Sequence, residues 1–338
     1  MSVDLSAFQG KNRLLFSIPL QPRQGSRFQP TGFPNLGAAT FKTAQGENLL
    51  VESAQSMANR LELTIWDAGR DAPLQELDGI SYVEVKDSQN RFLTSTILEA
   101  HRLNSVYVEE AEGDLHARLA VEMEHDDKKP INRAAFLRTL FKYDVNSLIH
   151  GAFLESIGGR LRVARALSAF IEAEGVRVAP SGGVKNDRVA AKKDEGADAS
   201  GGYGNVPFSR DEYTADSITL YVSLDLSQIQ GYGLDEQATQ YLILLSLFKL
   251  RSLIDGDLRL RTACDFMVGI ERIKSANIDW TLPNLDALQS DLISAHQSIK
   301  DRMIRSAVVF NGPKKKAKKE NNKAKDSEDT DNDGNPEG

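Results

Sequence analysis

Nine residues, ITLYVSLDL at 218–226, constrain the fold most tightly. Ile218, Leu220, Val222, Leu224 and Leu226 alternate with Thr219, Tyr221, Ser223 and Asp225. Successive side chains of a β-strand point to opposite faces, so this period of two predicts a strand with one buried and one polar face. A sheet built on such a strand needs an apolar cover on only one side.

Other segments supply more sheet and the cover. LLFSIPLQP (14–22) opens with bulky apolar residues and closes on Pro19 and Pro22, which predicts a first strand. ISYVEV and RFLTSTIL flank KDSQN and predict a strand pair, and DLRLRTACDFMV (257–268) predicts one more strand. ENLLVESAQSMANRLELTIW (47–66) places Leu50, Ala54, Met57, Ala58, Leu61 and Ile65 at helical spacing, with Gln55 and Asn59, and Ser56 and Arg60, at i,i+4. Two short helices are predicted from NRAAFLRTLFKYD and NSLIHGAFLESIG, the second capped by Asn146 and stopped by Gly158. Asp235 caps a helix running to about Ile254 with Gly256 beyond it, and 284–305 predicts a last helix. RLRVARALSAFIEAEGVRV (160–178) fits strand or helix. Strands separated by helices, with long insertions, predict an α+β fold with an antiparallel sheet. A ferredoxin-like (RRM-type) core with inserted arms fits, and several α/β arrangements stay open.

Length and charge narrow the function classes. The chain of 338 residues suffices for one large or two small domains. It carries no apolar run of bilayer-spanning length, and its N-terminus lacks the basic-then-apolar build of a signal peptide. A single cysteine, Cys264, excludes an internal disulfide framework; it fits a reducing cytoplasm and reads as buried filler. The net charge of −7 argues against coating nucleic acid with the whole surface, but the charges are segregated. Residues 11–60 carry six Lys/Arg against two acids, and 156–193 eight against three, whereas 71–127 carry four against fourteen. Such tracts can focus a positive groove on an acidic protein, or can simply be solvated faces.

Catalytic signatures are weak. The five histidines (His101, His116, His125, His150, His296) form no metal-ligand spacing, and His150 reads as a packed helix residue. EMEHDD (122–127) reads as a solvated acidic turn, so no metal site and no cofactor is expected. Signals for binding are better. SGGVKNDR (181–188) sets two glycines beside Lys185 and Arg188, a composition suited to phosphate. RLRVAR (160–165) and RLR (259–261) present arginines from short regular segments, which suits single-stranded nucleic acid or pairing with the acidic tract. From Pro180 to Gly204 the chain loses its core residues, which predicts an exposed hairpin arm. The following stretch carries Tyr203, Val206, Pro207 and Phe208, apolar groups able to stack on bases or to pack on the body. From Pro313 the sequence is low in complexity, lysine-rich and then acidic, and is expected to be disordered.

Taken in order, GSRFQPTGFPNLGAATF, LLVESAQSMANRLE, RVARALSAFIEAEGV, SGGVKND, YGNVPFSRDEYTA and GDLRLRTACD resemble the repeated crRNA-binding backbone subunit, of the RAMP superfamily, in the type I-G (formerly I-U) CRISPR Cascade surveillance complex. The resemblance runs from about Lys11 to the 300s. It implies an RRM-like palm over 1–312 with a finger-like insertion at about 71–127 and a thumb hairpin at about 180–215, leaving 313–338 as a tail. It also implies that copies stack head to tail along a CRISPR RNA. Their thumbs displace bases at intervals, and the guide is presented to a target DNA strand in antiviral defence. The expected partners are CRISPR RNA, further copies of the chain, other Cascade subunits and target DNA, with no membrane. No catalysis is implied. On this basis Lys11, Arg13, Arg27 and Gln29 are expected to line the RNA groove, and Gln55, Asn59 and Arg60 to hold backbone or sugar. Arg160, Arg162, Arg165, Lys185 and Arg188 are expected to meet phosphate, and Arg259 and Arg261 to belong to the RNA-binding surface. Tyr203, Asn205, Val206, Phe208 and Arg210 would form the thumb. A phosphate-handling enzyme using the 181–188 loop, and a general single-strand RNA-binding protein, stand as alternatives.

Overall fold

A computed structural model describes residues 3–33, 37–126, 128–155, 157, 161–186, 205–256 and 258–312. Its centre is a seven-stranded sheet. In chain order the strands are β1 (Arg13–Pro22), β2 (Thr40–Thr43) and β3 (Gly46–Glu52). The helix α1 (Ala54–Leu63) follows. An insertion then contributes β4 (Tyr82–Lys86), β5 (Phe92–Ser95), α2 (Leu115–Glu122), α3 (Arg133–Tyr143), α4 (Asn146–His150) and the hairpin of β6 (Ala152–Leu154) and β7 (Leu161–Val163). The chain returns to the sheet with β8 (Leu167–Glu174), leaves it through β9 (Arg177–Asn186) and β10 (Asn205–Thr214), and re-enters with β11 (Ser217–Asp225). The remainder is α5 (Leu226–Gln230), α6 (Glu236–Asp255), β12 (Leu258–Arg261), β13 (Cys264–Val268), α7 (Leu285–Ile299) and β14 (Arg305–Val309).

The sheet order is β12-β13-β1-β11-β8-β3-β2, and every neighbouring pair is antiparallel. Within it β1, α1, β8, β11, α6 and β13 follow the βαββαβ plan, with the four strands in the order β13-β1-β11-β8. The chain is therefore α+β with a ferredoxin-like core. On β11 Ile218, Leu220, Val222 and Leu224 are buried, as are Leu14, Phe16, Ile18 and Leu20 of β1 and Leu167, Ala169, Ile171 and Ala173 of β8. α1 packs against β8 and α5 against β1, and α6 packs on α1. Each fully buried aliphatic or aromatic side chain contributes roughly 1.5–3 kcal/mol. A second sheet, β14-β4-β5, is tied by parallel pairing of Arg305–Val309 with Tyr82–Lys86. β9 and β10 pair Arg177 with Thr214 through Asn186 with Asn205, forming a two-stranded arm that prolongs the β8–β11 hairpin.

Side-chain caps set the helix ends: Ser53 accepts from Ser56 N, Asn132 from Ala135 N, Asp235 from Ala238 N and Asn284 from Ala287 N. Four sequence expectations are corrected. Residues 47–52 form strand β3, because Leu49 finds cross-strand partners on both β2 and β8 and Leu50 one on β8; tertiary pairing overrides the helical spacing. The helix at Asn146 ends at His150 with Gly151 (φ 86), not at Gly158, and the residue before it, Val145, is the N-cap. Residues 258–268 form a hairpin rather than one strand, turning at Ala263 in the left-handed region (φ 57). The last helix stops at Ile299, and Arg305 begins a strand. Cys264 is buried. Among the described residues no helix is long and apolar enough to cross a membrane. The expectation for the 313–338 tail lies outside the described residues.

Candidate nucleic-acid interface

Four segments line an open cavity of about 500 Å³. Gln55 comes from the first turn of α1, His101, Arg102 and Asn104 from the turn before residue 105, and His150 and Gly151 from the end of α4. Phe153, Arg162 and Arg165 come from the β6–β7 hairpin and the residues just after it. Among the described residues no Asp or Glu lines the cavity. Gly151 makes the close approach of α4 to β7 possible: a Cβ there would sit 2.9 Å from the Val163 carbonyl oxygen, at a φ of 86° that disfavours side chains. Asn104 Oδ1 accepts from Glu155 N at 3.1 Å, which holds the mouth of the cavity to the β6 side.

The cavity wall continues into a buried polar cluster. Arg102 donates from Nε to Glu62 Oε1 at 2.7 Å and from Nη2 to Glu62 Oε2 at 2.5 Å, a fork of two bonds between side chains that are both buried. Lys249, fully buried on α6, donates to Asn146 Oδ1 and lies 3.0 Å from His150 Nε2. Ser147 Oγ donates to Asp144 Oδ2 at 2.8 Å. Burial pushes the Lys249 ammonium down to about 7, and raises Asp144 to about 6 and Glu62 to about 7, the last against the pull of Arg102. Burial, followed by the nearby Lys249 charge, holds the His150 imidazole well below its usual range. His150 is packed, as the sequence suggests, and it also forms part of the cavity wall.

The predicted site residues fall into groups. Gln55, Arg162 and Arg165 converge on the cavity, with Arg162 and Arg165 exposed and Asn59 half-buried one turn along α1 from Gln55. Arg60 and Arg261 instead converge on Glu52, which is buried. Arg60 Nη2 also donates to the Leu260 carbonyl at 2.6 Å, and Arg261 Nη1 to that of Gln29 at 3.2 Å. These two guanidiniums are spent on joining α1, the 29–30 loop and the β12–β13 hairpin. Gln29 is itself fixed through its backbone N–H to the Ala263 carbonyl at 2.8 Å. Arg27 and Arg210 flank the buried Glu212 at 3.3 and 2.9 Å. Arg13 pairs with Asp225 at 3.0 Å, Arg259 lies 3.8 Å from Asp265, and Lys11 is exposed before β1. Lys185, Asn205, Val206 and Phe208 occupy backbone positions on β9 and β10, with Lys185 opposite Val206. Arg160, Arg188 and Tyr203 lie outside the described residues.

The polar face of the central sheet carries an aromatic stack, Phe170 on Tyr221 with ring centroids 5.2 Å apart. Glu172, Glu174 and Asp225 share that face, with Arg13 already paired, so its charge does not favour phosphate. Phe153 escaped the sequence reading because 146–158 reads as one helix; Gly151, a helix stop in mid-segment, is the signal that could have revealed it. His101, Arg102 and Asn104 escaped because they lie in the acidic 71–127 tract, where the sequence around them shows no clear period.

No curated protein matches this chain. A chain of a solved structure titled "CRISPR RNA-guided surveillance complex, pre-nicking" aligns with a TM-score of 0.41 at 11% identity, over 77% of this chain and 75% of that one. From β1 to the start of β9, over residues 14–178, the sequence matches the family described as "CRISPR-associated protein GSU0053".

Proposed function

We propose that the chain is a CRISPR RNA-binding, non-enzymatic subunit of a Cascade-type surveillance complex, of the type I-G kind that the sequence resembles. The observation that carries this reading is a coincidence on one stretch of chain. The segment similar to the CRISPR-associated family, 14–178, also supplies the described lining of a cavity that bears Arg162 and Arg165 and, among the described residues, no Asp or Glu. A positive, water-accessible recess is suited to a phosphodiester backbone. In this reading copies stack head to tail on the guide, a heterologous contact that yields an open helix. The β9–β10 arm acts as the thumb, the guide's own base pairing selects the target DNA, and the complex works in the cytoplasm.

Co-expression with a repeat-spacer RNA tests it. The purified protein is expected to retain guide-length RNA and form elongated particles. If about five phosphates are met per copy, log affinity falls with log salt at a slope of about −3 to −4. A monomer free of nucleic acid would overturn the proposal.

A further inference from the structure

We infer that the cavity between α1 and the β6–β7 hairpin receives one unstacked nucleotide of single-stranded RNA, its phosphate on Arg162 and Arg165 and its base on Phe153. The inference rests on the RNA-binding reading above, and adds to it a discrete nucleotide seat.

Charge indicates an anion. Arg13, Arg27, Arg60, Arg210 and Arg261 all have carboxylate partners within the fold. Arg162 and Arg165 are exposed on the cavity rim and have no such partner among the described residues. Two neighbouring planar forks with no internal acid suit a phosphate. Shape indicates more than an ion, since about 500 Å³ lies within the range of small-molecule sites. The hairpin supplies the base-binding element. Phe153 and Arg162 are cross-strand partners, and Phe153 is 43% exposed, an apolar side chain held beside a cation. Aromatic rings so placed stack on any base.

The wall supplies a polar complement. Buried His150 spends Nε2 on Lys249, and its Nδ1 is left with no hydrogen-bond partner. Gln55 and Asn104 add amides able to meet a base edge or a ribose hydroxyl. A base inside a duplex is stacked and paired, so only an unstacked nucleotide can enter.

The test uses the full chain with single-stranded RNA containing 4-thiouridine, together with a duplex of the same sequence and free nucleoside monophosphate. Phe153→Ala is expected to weaken single-strand binding about tenfold. Arg162→Ala with Arg165→Ala is expected to remove about 0.7 from the salt slope, the value for the one phosphate that the two arginines share. Photo-crosslinks are expected on the 151–165 peptide, and circular dichroism serves as the check that these exposed variants fold. Wild-type RNA affinity and salt slope in both variants, with crosslinks elsewhere, would overturn the seat and leave the RNA-binding reading standing. A wild-type chain that binds no RNA would remove both. Phe153-dependent binding of free monophosphate without RNA crosslinks would also overturn it, assigning the cavity to a diffusible nucleotide.

Discussion

Arg102 spans both carboxylate oxygens of Glu62, at 2.7 and 2.5 Å, and both side chains are buried. Its backbone is held in the left-handed region at φ 51, a conformation most side chains avoid. The ion pair therefore fixes the 99–105 turn against α1 at some local cost, and in doing so sets one wall of the cavity. Arg102→Ala leaves the Glu62 carboxylate buried without its partner. A loss of about 3–5 kcal/mol is expected in urea unfolding. A change below about 1 kcal/mol would show that water replaces the guanidinium.

Gly151 is the hinge on which the hairpin depends. Gly151→Ala places a methyl group 2.9 Å from the Val163 carbonyl at a φ of 86°. Strain at such a site is of order 1–3 kcal/mol, and the hairpin should shift from α4. Lower thermal stability is expected, with weakened crosslinking of RNA to 151–165. Wild-type values for both would mean that the turn adapts freely.

Lys249 predicts an alkaline dependence of stability. Its folded-state value is lowered from 10.5 to about 7 by burial, so between those values the folded protein binds fewer protons than the unfolded chain. Stability from this group therefore rises with pH across that window. Glu62 and Asp144, raised by burial, act oppositely below about 7, where stability falls as pH increases. Lys249→Met should remove the upper limb, so that the wild-type advantage over the variant grows from pH 7 to 10. Denaturation curves that stay parallel over that range would contradict this.

Arg261 and Arg259 are neighbours on one strand with different duties. Arg261 ties Glu52 and the Gln29 carbonyl, whereas Arg259 is largely exposed. Arg261→Ala should cost about 2 kcal/mol, the scale of hydrogen bonds to charged groups. Arg259→Ala should leave stability within about 0.5 kcal/mol. Equal effects in chemical denaturation would remove the distinction.

Cys264 lies on β13 with its thiol pushed up to about 11 by burial. Thiolate is the reactive form, so alkylation at pH 8 should be slow in the folded protein and fast in denaturant. Rapid modification under native conditions would show that the β12–β13 hairpin opens.

What local sequence determined is what depends on local periodicity. Strict alternation at 218–226 specified β11 and its buried face, because side-chain direction on a strand repeats every two residues. Asp235 and Gly256 marked the ends of α6, because capping is settled by a few adjacent groups. The basic character of 160–165 was equally plain, yet not which arginine would stay free. Only the tertiary structure decided that Leu49 and Leu50 belong to a strand, since their partners on β8 lie more than a hundred residues away. It also decided that Arg60 and Arg261 would be consumed by Glu52, while Arg162 and Arg165 face a cavity walled from residues 55, 101–104, 150–153 and 162–165. Pairing of distant charges and enclosure of space depend on the path of the whole chain, and no sequence window contains that path.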